Sequence, residues 1–142
     1  MLKLLLIASA LLLIFSATAQ QSETPASPAT QGAVQQEIPP EASSQANPVK
    51  PNAESLAEGK KMYNLDCAMC HGDKGDGKGD MASDMKAKVP DFTDPNSLKN
   101  RTDGDLYYVI KNGKNEMPPE GDRAKPTQVW NMVNYVRAFA KK

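Results

Sequence analysis

Cys67, Ala68, Met69, Cys70 and His71 stand in a row, and the 142-residue chain holds no other cysteine and no other histidine. Its whole supply of thiol and imidazole therefore sits in one stretch of the form Cys-x-x-Cys-His. Side chains three residues apart on a helical turn share a face, so both thiols can reach the two vinyl groups along one side of a porphyrin. Two thioether bonds would result, and the adjacent His71 would meet the iron of the same ring. This order and spacing are those of c-type haem attachment.

Other chemistries fit less well. A structural zinc site normally takes four Cys or His ligands, commonly as two separated pairs, and here the supply ends at three. A thioredoxin-like Cys-x-x-Cys needs an α/β scaffold with buried strands beside it, and no downstream run alternates as a strand would. A disulfide between Cys67 and Cys70 would close a very short loop and constrain the unfolded chain little.

The elements that must position this motif follow from the flanking pattern. Lys3, an apolar run from Leu4 to Phe15, and Ala17-Thr18-Ala19 together read as a signal peptide over residues 1–19, implying export, with the periplasm as destination. The run is shorter than the ~20 residues a membrane helix needs, and a retained anchor is the alternative; only then would the chain associate with a membrane. Residues 20–52 are rich in Pro, Ser, Ala and Gln and lack aromatics, which predicts a disordered linker that cannot bury enough apolar surface to offset its ordering entropy. A single domain is expected over 53–142. Basic and acidic residues balance at 17 each, which gives no sign of a nucleic-acid partner.

Three helices can be placed in that domain. Asn52 reads as an N-cap, and Leu56, Gly59, Tyr63 and Cys67 share one face of a helix running into the motif. Thr102 to Asp105 has the form of a capping box, followed by Leu106, Val109 and Ile110 on one stripe and Gly113 as a stop. After Pro126 and Thr127, the positions Val129, Met132, Val133, Val136, Phe139 and Ala140 recur at helical spacing. The fold class is all-α. Its few aromatics, Tyr63, Phe92, Tyr107, Tyr108, Trp130, Tyr135 and Phe139, make a thin core that a buried macrocycle would fill.

His71 occupies one side of the iron, and the other side calls for a methionine. Met1 leaves with the signal, Met69 lies inside the motif, and Met62 and Met132 sit on helices, where a thioether is more often a core filler. Met81 and Met85 lie 10 and 14 residues beyond His71, a short path round a porphyrin edge. Met117 follows the second helix by a Gly-containing loop and precedes Pro118 and Pro119, which restrict the backbone on its far side.

These features resemble a class I monohaem c-type cytochrome, the small all-α electron carrier of periplasms and respiratory chains. The resemblance rests on Gly59 and Tyr63 before Cys67 to Gly72, the Gly-Asp-Gly-Lys-Gly loop at 75–79, Met117-Pro118, and Trp130 with Tyr135. It implies three to four helices around one covalent haem c, held through Cys67 and Cys70 with His71 and Met117 as axial ligands. It further implies that the first and last helices cross near Gly59 beside Tyr63 and Tyr135, and that a carbonyl near Pro90 accepts a hydrogen bond from His71 Nδ1. The expected function is one-electron transfer between redox protein partners, not enzymatic turnover. Lys74, Lys78, Lys86, Lys88, Lys111 and Lys114 could steer docking, although their interleaving with Asp and Glu reads as ordinary solvated surface. The rivals are a haem enzyme or small-ligand sensor with a displaceable sixth ligand, for which the chain offers no spare histidine, and a haem subunit of a larger dehydrogenase or oxidase.

Overall fold

The computed structural model describes residues 37–140, and the predicted signal peptide lies outside them. Over the described residues the fold is all-α, in the order α1 (Pro40–Ser43), α2 (Ala53–Asp66), α3 (Ala68–His71), α4 (Asp80–Met85), α5 (Asp103–Asn112) and α6 (Pro126–Phe139). Among the described residues no helix is long and apolar enough to cross a membrane. The three predicted helices are α2, α5 and α6. The other three span at most six residues, too few for a hydrophobic period to register.

The caps that start the long helices are those the sequence suggests. Asn52 Oδ1 accepts from Ser55 N at 2.8 Å while Asn52 N donates to Ser55 Oγ at 3.1 Å, so two backbone donors at the start of α2 are satisfied reciprocally. Thr102 and Asp105 do the same for α5, at 3.0 and 2.9 Å. Pro126 opens α6, where a missing N–H costs nothing.

The central element is α6. Every residue from Val129 to Tyr135 is buried, together with Val136 and Phe139, because α2, α5 and the segment before α2 all lie against it. It contributes Tyr135, Val136 and Phe139 to a cluster with Tyr63, Ala68 and Phe92. Val129, Trp130, Met132 and Val133 form a second cluster with Ile110 and Ala124. α2 crosses α6 at Gly59, as expected. A Cβ added there would stand 2.2 Å from the Asn131 carbonyl oxygen and 2.8 Å from Tyr135 Cβ, so only hydrogen fits. Past the crossing, the Tyr63 and Tyr135 rings meet edge to face at 5.3 Å.

Of the expected linker 20–52, residues 20–36 lie outside the described ones. Residues 37–52 are not a free linker: α1 lies here, and the segment is pinned to the domain by polar contacts. Asn47 Nδ2 donates to Asn134 Oδ1 at 2.9 Å, Asn134 Nδ2 returns a bond to Val49 O at 3.0 Å, and Ser43 Oγ donates to Asp105. Composition weighed only apolar burial, whereas the buried amide of Asn134 holds the strap by hydrogen bonds. Pro39, Pro40, Pro48 and Pro51 lower the entropy lost on ordering it.

Gly59→Ala is expected to destabilise the protein by about 1–3 kcal/mol, the usual range for overpacking, since the obstruction is backbone. Thermal denaturation of the haem-loaded protein checks this, and an unchanged midpoint would show that the crossing can widen freely.

Candidate haem-attachment site

The attachment motif lies where one helix ends and another begins. α2 stops at Cys67, whose N–H still bonds to Tyr63 O at 2.8 Å, and α3 supplies Cys70 and His71 from a single turn. Both cysteines are free thiols and half-buried. Cys67 packs against both core clusters, which puts it at the seam between them. After Gly72 the chain folds back on the motif: Gly77 N donates to His71 O at 2.9 Å and Gly79 N to Cys70 O at 3.2 Å.

Tyr63 ties this turn to α2. Its hydroxyl is fully buried and donates to Gly72 O at 2.7 Å. Burial holds that hydroxyl protonated, far above its ordinary range, so it remains a donor at any physiological pH. The His71 ring stacks on Phe92 with centroids 4.8 Å apart and 17° between planes. Burial pushes its pKa down to about 4, which keeps the imidazole neutral and its lone pair available. The expected hydrogen bond from His71 Nδ1 to a carbonyl near Pro90 is absent, and Nδ1 is buried without a partner. The carbonyls of Val89 and Pro90 crowd Gly77 instead.

Burial likewise pushes the Cys67 thiol up to about 12, with Glu120 and Asp66 adding to the rise. A neutral, half-buried thiol is the opposite of the activated thiolate that a redox dithiol employs.

Met117 lies in the loop after α5, as expected. Gly113 has φ +74°, and a side chain there would strike Met117 O, which leaves glycine as the residue that can turn the loop. Lys114 N bonds to Met117 O at 3.0 Å and Met117 N to Lys114 O at 2.9 Å. The Met117 side chain is half-buried and packs on the same cluster as Cys67 and Met62. Met81 and Met85 lie on α4, 43% and 53% exposed. Met69 inside the motif and Leu65 just before it are also exposed.

A family model described as "Cytochrome C oxidase, cbb3-type, subunit III" matches residues 54–136, more than half of the chain. The chain belongs to the monohaem c-type cytochromes. Cytochrome c6 of Pyropia yezoensis is 32% identical over 90 residues, covering 63% of this chain and 76% of that protein. Cytochrome c6 of a Synechococcus species is 33% identical over 85 residues, with 59% and 70% covered. Among solved structures, the KustC0563 c-type cytochrome superposes with a TM-score of 0.51 at 29% identity, covering 57% of this chain and 95% of that one. A chain of the Kuenenia stuttgartiensis reducing HAO-like complex Kustc0457/Kustc0458 gives 0.56 at 27% identity, but the match spans 65% of this cytochrome and only 46% of that chain.

This cytochrome therefore carries one covalent haem c through Cys67 and Cys70 and is an electron carrier. Its own residues fit that group: two unpaired thiols on one helical turn, a half-buried neutral imidazole with a buried, unpartnered nitrogen, and a thioether on the cluster that Cys67 touches. The sequence did not single out the Tyr63 hydroxyl bond, the Phe92 stack, or the charges Asp66, Glu120 and Arg123 near Cys67. Only the i, i+3 spacing of Glu120 and Arg123 hinted at any of them.

Tyr63→Phe is expected to cost about 1–3 kcal/mol, because the buried Gly72 carbonyl loses its donor. Chemical denaturation of the haem-loaded protein would register it as a lower midpoint. No change would mean that the carbonyl finds another donor.

Proposed function

We propose that this cytochrome is an exported one-electron carrier rather than an enzyme, with His71 and Met117 as the axial ligands of its haem. The observation that carries the reading is the placement of the methionines: Met117 is half-buried on the cluster that also receives Cys67, while Met81 and Met85 face solvent. When bound, the haem would supply a ferric/ferrous couple, and a neutral thioether from Met117 would raise its reduction potential relative to more basic ligands.

The chain's own contribution is to keep those donors neutral and still. His71 is half-buried, uncharged and braced by the Phe92 ring. Met117 is held by its paired backbone bonds to Lys114 on one side and by Pro118 and Pro119 on the other. A site that moves little on gaining or losing an electron suits a carrier.

Redox proteins are the proposed donor and acceptor. A second reading makes this cytochrome a haem subunit or docking module of a larger oxidoreductase. The description of the matching family and the complex containing one structural neighbour both favour it. Co-purification with a stoichiometric dehydrogenase or oxidase from native membranes would decide for that reading. Export rests on the signal-like segment at residues 1–19 and on a haem retained by covalent bonds.

Met117→Ala should give a folded protein with high-spin ferric haem, a lower potential and no far-red charge-transfer band of methionine ligation, while Met81→Ala and Met85→Ala leave the spectrum as it was. The reverse pattern would transfer the ligand role to α4. Mass spectrometry of protein from its native host should report cleavage after Ala19 and the mass of one attached haem; an intact N-terminus would favour a membrane anchor.

A further inference from the structure

Between the end of α2 and the Met117 loop lies a set of charges that haem attachment itself does not use. Asp66 is the last residue of α2 and immediately precedes Cys67. Glu120 comes three residues after Met117 and is 3% exposed. Arg123 joins them: Nη1 lies 3.3 Å from Asp66 Oδ1, and Nη2 donates to Glu120 Oε1. The other Glu120 oxygen, Oε2, is buried with no hydrogen-bond partner. Asp66 adjoins Cys67, which places one end of this bridge at the attachment point.

We propose that Arg123 is a positioning residue: by bridging Glu120 to Asp66 it clamps the Met117 loop to the haem-bearing end of α2 and so keeps the sixth ligand in place. The proposal rests on Met117 being that ligand. The loop is held from two sides. On one, backbone bonds fasten it to the end of α5, with Glu120 N to Ile110 O and Gly121 N to Lys111 O both at 2.9 Å. On the other, Arg123 joins Glu120 to Asp66 at the end of α2.

The physical need for Arg123 comes from Glu120. A buried carboxylate with one oxygen already unpartnered depends on its single counter-ion, and removing that ion leaves an uncompensated buried charge. The charge can be relieved by swinging Glu120 toward water. Pro118 and Pro119, with φ fixed by their rings, form a stiff connection, so that swing is transmitted to Met117. The Asp66 arm adds less, since Arg123 is mostly exposed and that contact is longer.

The test uses the haem-loaded protein, titrating the ferric form with imidazole as an external ligand while following the far-red charge-transfer band. Arg123→Gln should bind imidazole roughly tenfold more tightly than wild type and show a weakened band. Combining Arg123→Gln with Glu120→Gln should return binding to within about threefold of wild type, because replacing both partners of a pair removes the stranded charge that breaking it creates. Should Arg123→Gln fail to assemble, Asp66→Asn retains the Glu120 partner and should shift binding in the same direction by about threefold. Wild-type imidazole binding in Arg123→Gln, with Met117→Ala binding more tightly, would overturn the clamp while leaving the ligand standing; so would a lower melting temperature with unchanged imidazole binding. Wild-type binding in Met117→Ala would overturn the ligand assignment, and the clamp with it.

Discussion

The structure depends on a contact in which one partner has no side chain. At Gly59 the backbone of α2 comes close enough to that of α6 to exclude any Cβ, with the Asn131 carbonyl directly in the way. Everything at the site is downstream of that approach. One turn later it brings Tyr63 against Tyr135 and Phe139, with its hydroxyl aimed at Gly72. One further turn brings Cys67 to the seam between the two clusters. The attachment motif is thus delivered by a rigid lever whose pivot is a glycine, and the fold-back of residues 72–79 is built on the motif's own carbonyls.

Sequence reasoning succeeded where one physical rule dominates locally. Reciprocal caps at Asn52/Ser55 and Thr102/Asp105 bound their helices, and the helical period of Val129, Met132, Val133, Val136 and Phe139 revealed α6. It failed where the controlling partner is distant in the chain. Ser55 is buried where the stripe called for Leu56, because Ser55 completes a cap and approaches Asn134, 79 residues away. Asn131 and Asn134 broke no pattern that a periodicity count can see, yet both are buried on α6. Arg137 reaches Asp103 and the Leu98 carbonyl, a connection between α6 and the approach to α5 that has no local signature.

The site's motif was legible in full, but its electrical environment was not. Cys-x-x-Cys-His names the atoms that attach a haem; it does not say that they lie where charge is disfavoured. Burial drives Cys67 and His71 in opposite pKa directions, yet to the same end, since each is held in its neutral form. A seam that holds Cys67 and His71 uncharged suits a covalent haem, whose attachment leaves no charge on the cysteines.

Such a seam tolerates a buried carboxylate poorly, and the strap before α2 shows the contrasting solution. Asp105 is buried, but it accepts from Ser43 and Thr102, and those hydrogen bonds hold its carboxyl below the usual range despite desolvation. Asn134 likewise satisfies the strap with a neutral amide that donates and accepts at once. Residues 43–49, outside the family match, are therefore fastened by matched polar contacts. Glu120 differs in having one oxygen paired to a largely exposed arginine and the other to nothing. Beside those matched contacts, a buried carboxylate with one oxygen unpartnered is where a modest change in charge can move backbone. It stands three residues from Met117.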